Sequence, residues 1–213
     1  MTVEKALKDM PVIGILRGFN QDQVFRILEL YQECGFQMAE ITLNTENALA
    51  IISSAVKKFD GLFIGAGTVC DIKDYSASKE AGAQFMVTPI LDEQVVITSV
   101  KDGIPIFPGA FSPSEVYKAW KLGATMVKVF PGGSLGYQYI KELQGPLPQI
   151  PLAPTGGVSI DNLEQFMKAG AKGVGMGGKL FLPDLINEGN WSGLKEHFQA
   201  FYQKVKQHMP ATN

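Results

Sequence analysis

Cysteine is scarce in this 213-residue chain, and the two that occur, Cys34 and Cys70, stand apart with no CxxC spacing and no histidine nearby. That pattern argues against a disulfide framework and against a zinc site, and it fits a reducing cytoplasm. No apolar run reaches membrane-spanning length, so no membrane partner is expected. The opening stretch, Met1 to Met10, carries charges of both signs and leads straight into an apolar strand, so neither a signal peptide nor a transit peptide is expected. An excess of one charge is lacking too. A formal net charge of -2, with Lys and Arg scattered, supplies no cationic field for a polyphosphate backbone, and nucleic acid is not an expected partner. There is no dinucleotide GxGxxG, no nucleophilic serine elbow and no cluster of metal-ligating residues, so neither a cofactor nor a metal is expected. The two histidines, His197 and His208, fall in a polar C-terminal helix where solvent exposure is the default.

What the chain does have is apolar material in a repeating order. Hydrophobic residues make up 46% and charged residues 19%, ample for a buried core and free of the bias that marks disorder. One domain of barrel size, residues 1–213, is simpler than two small ones. A phrase recurs around Gly35, Gly82, Gly123 and Gly170, in which a helix closes at glycine and a short apolar strand follows at once. Each glycine suits a left-handed helix C-cap, and the intervals hold two strand-helix units apiece. Apolar runs at Val12 to Arg17, Leu62 to Ala66, Ile104 to Phe107 and Ile150 to Ala153 supply the remaining strands. Between them lie helical stripes such as Val24, Ile27, Leu28 and Tyr31. Helix starts are marked at Asp92-Glu93, Ser112-Pro113-Ser114-Glu115 and Ser159-Ile160-Asp161-Asn162. Alternating strands and helices, eight of each, predict an α/β fold: a single-domain (β/α)8 TIM barrel with a short N-terminal helix. An open doubly wound sheet is the competing architecture.

In a barrel, function gathers where strands end. Lys128 lies inside the apolar run Met126-Val127-Lys128-Val129-Phe130, where an ammonium is costly unless it serves a purpose or reaches a partner. A low-dielectric site lowers a lysine's pKa and yields the free amine that attacks a ketone to form an imine. The alternative is a lysine that snorkels from a strand end or pairs with a carboxylate. Glu40, in Met38-Ala39-Glu40-Ile41-Thr42, shares a strand face with Thr42 and is a candidate acid/base, or else one half of an ion pair with Lys128 or Arg17. Arg17 closes the first strand, and its fork matches a carboxylate or phosphate; a plain surface charge is the other reading. Gly156-Gly157 and Gly177-Gly178 follow the last two strands, where barrels commonly bind phosphate through backbone N–H groups. Either pair alone could be only a tight turn.

Taken in order, Glu40-Ile41-Thr42-Leu43, Gly65-Ala66-Gly67-Thr68-Val69, Thr88-Pro89, Val127-Lys128-Val129-Phe130-Pro131 and Pro154-Thr155-Gly156-Gly157 resemble the 2-keto-3-deoxy-6-phosphogluconate / 4-hydroxy-2-oxoglutarate aldolase family. The similarity runs from about Val12 to the last helix. It implies a class I aldolase that needs no metal, with Lys128 as Schiff-base lysine and Glu40 as general acid/base. It also implies that Thr68, Pro89 and Phe130 line the pyruvate pocket, that Thr155 contacts substrate, and that Gly156, Gly157, Gly177 and Gly178 surround a phosphate. A homotrimer is the implied assembly. Two departures stand out. Asn44 occupies a position where many members carry arginine, which leaves Arg17 as the carboxylate anchor. Lys179 stands where serine is common and is expected to add a charge to the phosphate site. Asn44 resembles the galactonate branch and Thr155 the gluconate branch, so both epimers stay open. The rival readings are a phosphate-binding isomerase or synthase that uses Lys128 only as a charge, and a non-catalytic sugar-phosphate sensor.

Overall fold

Alternating short strands and helices dominate the computed structural model, which describes residues 2–208. The order is α1 Val3–Asp9, β1 Val12–Leu16, α2 Gln21–Glu33, β2 Met38–Thr42, α3 Ala48–Lys58, β3 Phe63–Gly67, α4 Ile72–Glu80, β4 Met86–Val87, α5 Glu93–Lys101, β5 Ile106–Phe107, β6 Gly109–Ala110, α6 Pro113–Lys121, β7 Val127–Val129, α7 Gly132–Gln144, β8 Leu152–Pro154, α8 Leu163–Lys168, β9 Val174–Met176, α9 Gly178–Phe181, α10 Pro183–Asn187 and α11 Trp191–His208. Every strand pairing is parallel, in one sheet of order β5-β4-β3-β2-β1-β9 and a second of order β6-β7-β8. One flank of the small sheet meets the large one through a parallel bridge, Thr155↔Gly175. At the other flank, the strand expected at Ile104 to Phe107 forms as β5 and stops at Pro108, which has no N–H to give to a ladder, and β6 follows just beyond it. Backbone bonds cross this break, from Thr125 N to the Ile106 carbonyl and from Lys128 N to the Pro108 carbonyl, each near 3 Å. The result is an α/β fold built on parallel strands.

Side-chain alternation divides the core in two. Ile13, Met38, Phe85, Val87, Phe107, Met126 and Ala153 meet in an inner cluster, closed from beneath by Val3, Ala6 and Leu7 of α1. Their strand neighbours Val12, Ala39, Ile41, Met86, Ile106, Val127 and Leu152 face outward to the helices. The same alternation places Glu40 with Met38 and Lys128 with Met126 on the inner face, one step closer to the strands' C-terminal ends.

Local signals set most boundaries. Asn20 with Gln23 and Ser112 with Glu115 form reciprocal capping boxes, Pro113 opens α6, and Asp92 caps α5. Gly35, Gly82, Gly123 and Gly170 all have positive φ, as the helix-ending phrase requires. Two expectations need correction. The helix expected to start at Ser159 begins at Leu163, because Asn162 spends its side chain on Ser159 N (2.8 Å) and the Gly157 carbonyl (2.9 Å) and holds residues 159–162 as a turn. His197 and His208 are both half-buried, not exposed: the His197 ring lies edge-on to Phe201 with its Nε2 3.1 Å from the Lys179 carbonyl, and the His208 Nε2 lies 3.6 Å from a Glu164 carboxyl oxygen. Among the described residues, no helix is long and apolar enough to cross a membrane.

Candidate active site

Lys128 is only 7% exposed and Glu40 1%, an unusual depth for two ionisable groups on facing strands of one interior. Burial dominates both. It holds the Lys128 ammonium below its ordinary pKa, an effect that the Glu40 charge opposes and Arg17 reinforces. It pushes the Glu40 carboxyl up, against the pull of Lys128 and then Arg17. The two feel each other's charge yet form no ion pair within 4.0 Å, and the Lys128 Nζ instead lies 5.2 Å from the centre of the Phe130 ring. The carboxyl oxygen Oε2 of Glu40 is buried without a hydrogen-bond partner among the described residues. A free amine and a nearby acid that can hold or release a proton are what imine chemistry on a ketone requires.

Above this pair opens a cavity of about 280 Å³. Every expected site residue except Glu40 lines it: Arg17, Thr68, Pro89, Lys128, Phe130, Thr155, Gly156, Gly157, Gly177, Gly178 and Lys179. Glu40 lies deeper, in the wall. The space exists because this interior layer is poor in side chains. A Cβ on Gly65 would run into the Phe85 ring, one on Gly109 into the Pro89 backbone, and one on Gly175 into the Thr155 hydroxyl. Thr68 has φ 59, a left-handed conformation that is costly for a non-glycine residue and recurs at functional sites. A larger cavity of about 710 Å³ lies at the opposite end, beside α1 and Met126, but none of the residues with a displaced pKa lines it. Among the described residues no group of three or more His, Cys, Asp or Glu side chains is placed to hold a metal ion.

Arg17 is exposed at the cavity mouth, whereas Asn44 is exposed away from it and contributes nothing to the lining. The loop that carries Arg17 is fastened by two buried hydroxyls. Thr45 Oγ1 accepts from Gly18 N (3.0 Å) and contacts Thr42 Oγ1 (3.2 Å), which donates to the Leu16 carbonyl (3.3 Å). Sequence reasoning missed Thr45; its only signal was a short polar residue just past a strand end, which turns commonly supply.

The two glycine pairs both line the cavity. Gly156 and Gly157 have φ of +82° and +76°, and Gly133 approaches so closely that a Cβ on Gly157 would lie 2.8 Å from its Cα. Gly132 and Gly133 donate to the Thr155 and Gly156 carbonyls (2.6 Å each) and fix this turn. The N–H groups of Gly157 and Gly177 have no turn or loop carbonyl as partner among the described residues, and those of Gly178 and Lys179 open the first turn of α9, so these are available to an anion. Lys179 is exposed on the rim, and His197 braces its carbonyl from behind.

A buried amine beside a buried acid, under an anion-ready mouth on a parallel-strand scaffold, defines an enzyme of covalent carbonyl chemistry. The chain belongs to the KDPG and KHG aldolase family, whose model matches residues 3–196, and it is a carbon–carbon lyase. It is 35% identical over 81% of its length to the 2-dehydro-3-deoxy-6-phosphogalactonate aldolase of Escherichia coli K12, covering 85% of that protein. It is 31% identical over 97% of its length to the 2-dehydro-3-deoxy-phosphogluconate aldolase of Pseudomonas aeruginosa, covering 93% of it. Among solved structures, the KDPG aldolase of Legionella pneumophila, with pyruvate captured as a covalent carbinolamine intermediate, superposes with a TM-score of 0.86 at 28% identity, covering 92% of this chain and 96% of that one.

Proposed function

We propose that the protein is a class I aldolase that cleaves a phosphorylated 2-keto-3-deoxy sugar acid into pyruvate and glyceraldehyde 3-phosphate. The observation that carries this reading is Lys128, an amine whose pKa burial lowers from its ordinary value, lining a cavity with a buried carboxyl near it. Its Nζ attacks the C2 ketone, and loss of water gives an iminium. Glu40, directly or through a water, takes the C4 hydroxyl proton as the C3–C4 bond breaks. The bonding electrons flow into the iminium, leaving an enamine and releasing the aldehyde. Protonation of the enamine at C3 and hydrolysis of the imine then return pyruvate and free Lys128. Thr68, Pro89 and Phe130 line the pyruvate end in this reading, Thr155 meets the substrate hydroxyls, and Gly156, Gly157, Gly177 and Gly178 hold the phosphate. The carbinolamine captured in the Legionella relative supports the covalent step.

The cross-sheet bridge Thr155↔Gly175 and the bonds that span Pro108 support a scaffold in which the two sheets close into one (β/α)8 barrel, a single domain over residues 2–208, the ends of the expected 1–213 span lying outside the described residues. Ile97 (51%), Val100 (43%) and Tyr117 (45%), exposed on α5 and α6, are apolar side chains of the kind that self-association covers, and a homotrimer is the assembly proposed. Free thiols at Cys34 and Cys70 suit a reducing cytoplasm.

Arg17 anchors the substrate carboxylate in this scheme. Arg17→Met is expected to raise KM for every 2-keto acid, phosphorylated or not, by about ten- to a hundredfold, the scale of a charge-assisted hydrogen bond. Asn44→Ala is expected to leave KM within about twofold, because Asn44 lies outside the cavity lining. Steady-state kinetics on both variants checks the assignment, and the reverse pattern would move the carboxylate to Asn44.

A coupled pyruvate assay on both phosphorylated epimers and on 4-hydroxy-2-oxoglutarate tests the substrate class. Turnover of at least one phosphorylated epimer is expected, and failure on all three would leave the sensor or isomerase. The same panel tests Lys179. Since its side chain is exposed, the low end of the charge-assisted range applies, and Lys179→Ser should cost about tenfold in kcat/KM on the phosphorylated substrate. It should spare 4-hydroxy-2-oxoglutarate, which has no phosphate to lose. Equal losses on both would remove Lys179 from the site.

A further inference from the structure

Glu40 has a burial problem: its carboxyl sits in the interior wall, and one oxygen has no hydrogen-bond partner among the described residues. Something other than a hydrogen bond to that oxygen must hold it in place. The neighbouring strand supplies a slot. Glu40 pairs with Gly65 and Thr42 with Gly67 in the β2–β3 register. A Cβ built on Gly67 would lie 2.7 Å from Glu40 Cδ, closer still to Oε1, and 3.1 Å from the Thr42 methyl. No backbone atom is among these obstacles. Gly67 is also not at positive φ, so its backbone conformation is open to any residue. Glycine is required there by the carboxyl, not by the chain. This sets Gly67 apart from Gly109 and Gly157, whose obstacles are backbone.

We infer that Gly67 is a positioning residue for the acid/base: the missing side chain is the slot that holds the Glu40 carboxyl in the wall behind the cavity. The inference rests on the acid/base reading of Glu40 given above. A methyl group at Gly67 drives the carboxyl out of the slot by rotating the Glu40 side chain, and acid/base geometry is lost while the imine lysine and the anion site stay in place.

The test is a double-mutant cycle of Gly67→Ala with Glu40→Gln and Glu40→Asp, read by turnover, by the pH profile of kcat/KM and by solvent exchange of the pyruvate methyl protons, which reports enamine formation. Gly67→Ala alone is expected to lose about ten- to a hundredfold in turnover and in proton exchange, the scale of misplacing a catalytic group by about 1 Å. Its pH profile should shift, since the carboxyl then faces a different environment. In the Glu40→Gln background, where the proton relay is already gone, Gly67→Ala should add less than about twofold. In the Glu40→Asp background the shorter side chain withdraws from the new methyl, and the alanine should cost less than it does beside glutamate. If Gly67→Ala fails to fold, the Gly67→Ala/Glu40→Asp form should fold, because the clash is relieved; failure of both would overturn the inference. An equal cost in all three backgrounds, with an unmoved pH profile, would make Gly67 merely structural. Wild-type turnover by Glu40→Gln would instead remove the acid/base reading itself, so the two failures are separable.

Discussion

Sodium borohydride added together with pyruvate is expected to inactivate the enzyme irreversibly, whereas either reagent alone leaves it active. The imine between Lys128 and pyruvate is in equilibrium with water, and hydride reduction converts it to a secondary amine that no longer hydrolyses. Selectivity follows from environment. Lys58, Lys79, Lys168 and Lys195 sit at the surface in ion pairs, while burial shifts Lys128 toward the free amine. Peptide mapping should therefore find the adduct on Lys128. The companion variant is Lys128→Arg, which keeps a cation and gives up the imine. Turnover should fall on the order of 10⁴-fold or more, the scale of losing a covalent nucleophile. An isomerase that used this residue only as a charge would keep substantial activity with arginine, and trapping would then label nothing. An adduct mapped to another lysine, with Lys128→Arg still active, would end the assignment.

Much of this site could be read from residues in order along the chain because strand periodicity is strict. Once Met126, Val127 and Lys128 are placed on a short parallel strand, alternation alone sets Lys128 inward, and the same holds for Glu40 behind Met38. Glycine phrases gave the helix ends, since positive φ after a helix is a local property. Other features depend on what meets across space. Pro108 ending β5 was visible as a proline, but that the ladder continues past it through the Pro108 carbonyl required the neighbour. Asn162 reads as a helix cap until its side chain is found on the Gly157 turn. Thr45 looks like an ordinary loop residue, and His197 like a surface one. Each is defined by a backbone atom far away in sequence, Gly18 N and the Lys179 carbonyl. Gly67 is the extreme case, because its role lies in an atom it does not have.

Replacing Glu40 by glutamine is expected to lower turnover by about 10²-fold or more, the usual contribution of a positioned acid/base, with the fold intact. Glutamine keeps the size and the packing against Gly67, so the variant isolates the proton. It cannot accept the C4 hydroxyl proton at neutral pH, and carbon–carbon cleavage loses its base. The pH dependence carries a second, signed expectation. The Glu40 charge raises the Lys128 pKa against the larger lowering effect of burial. Removing that charge leaves burial and Arg17, which favour the neutral amine, against only the smaller opposing effect of Cys70, so the Lys128 pKa should fall further. Imine formation with pyruvate, followed by borohydride trapping across pH, should then persist to lower pH in Glu40→Gln than in the wild type, even as cleavage is slow at every pH. The two groups titrate as a coupled pair in the wild type, so the acid limb belongs to both and should simplify to a single group in the variant. A Glu40→Gln enzyme with nearly wild-type turnover would make this carboxyl structural. Slow cleavage with an imine profile moved to higher pH would mean that something other than the Glu40 charge holds the proton on Lys128.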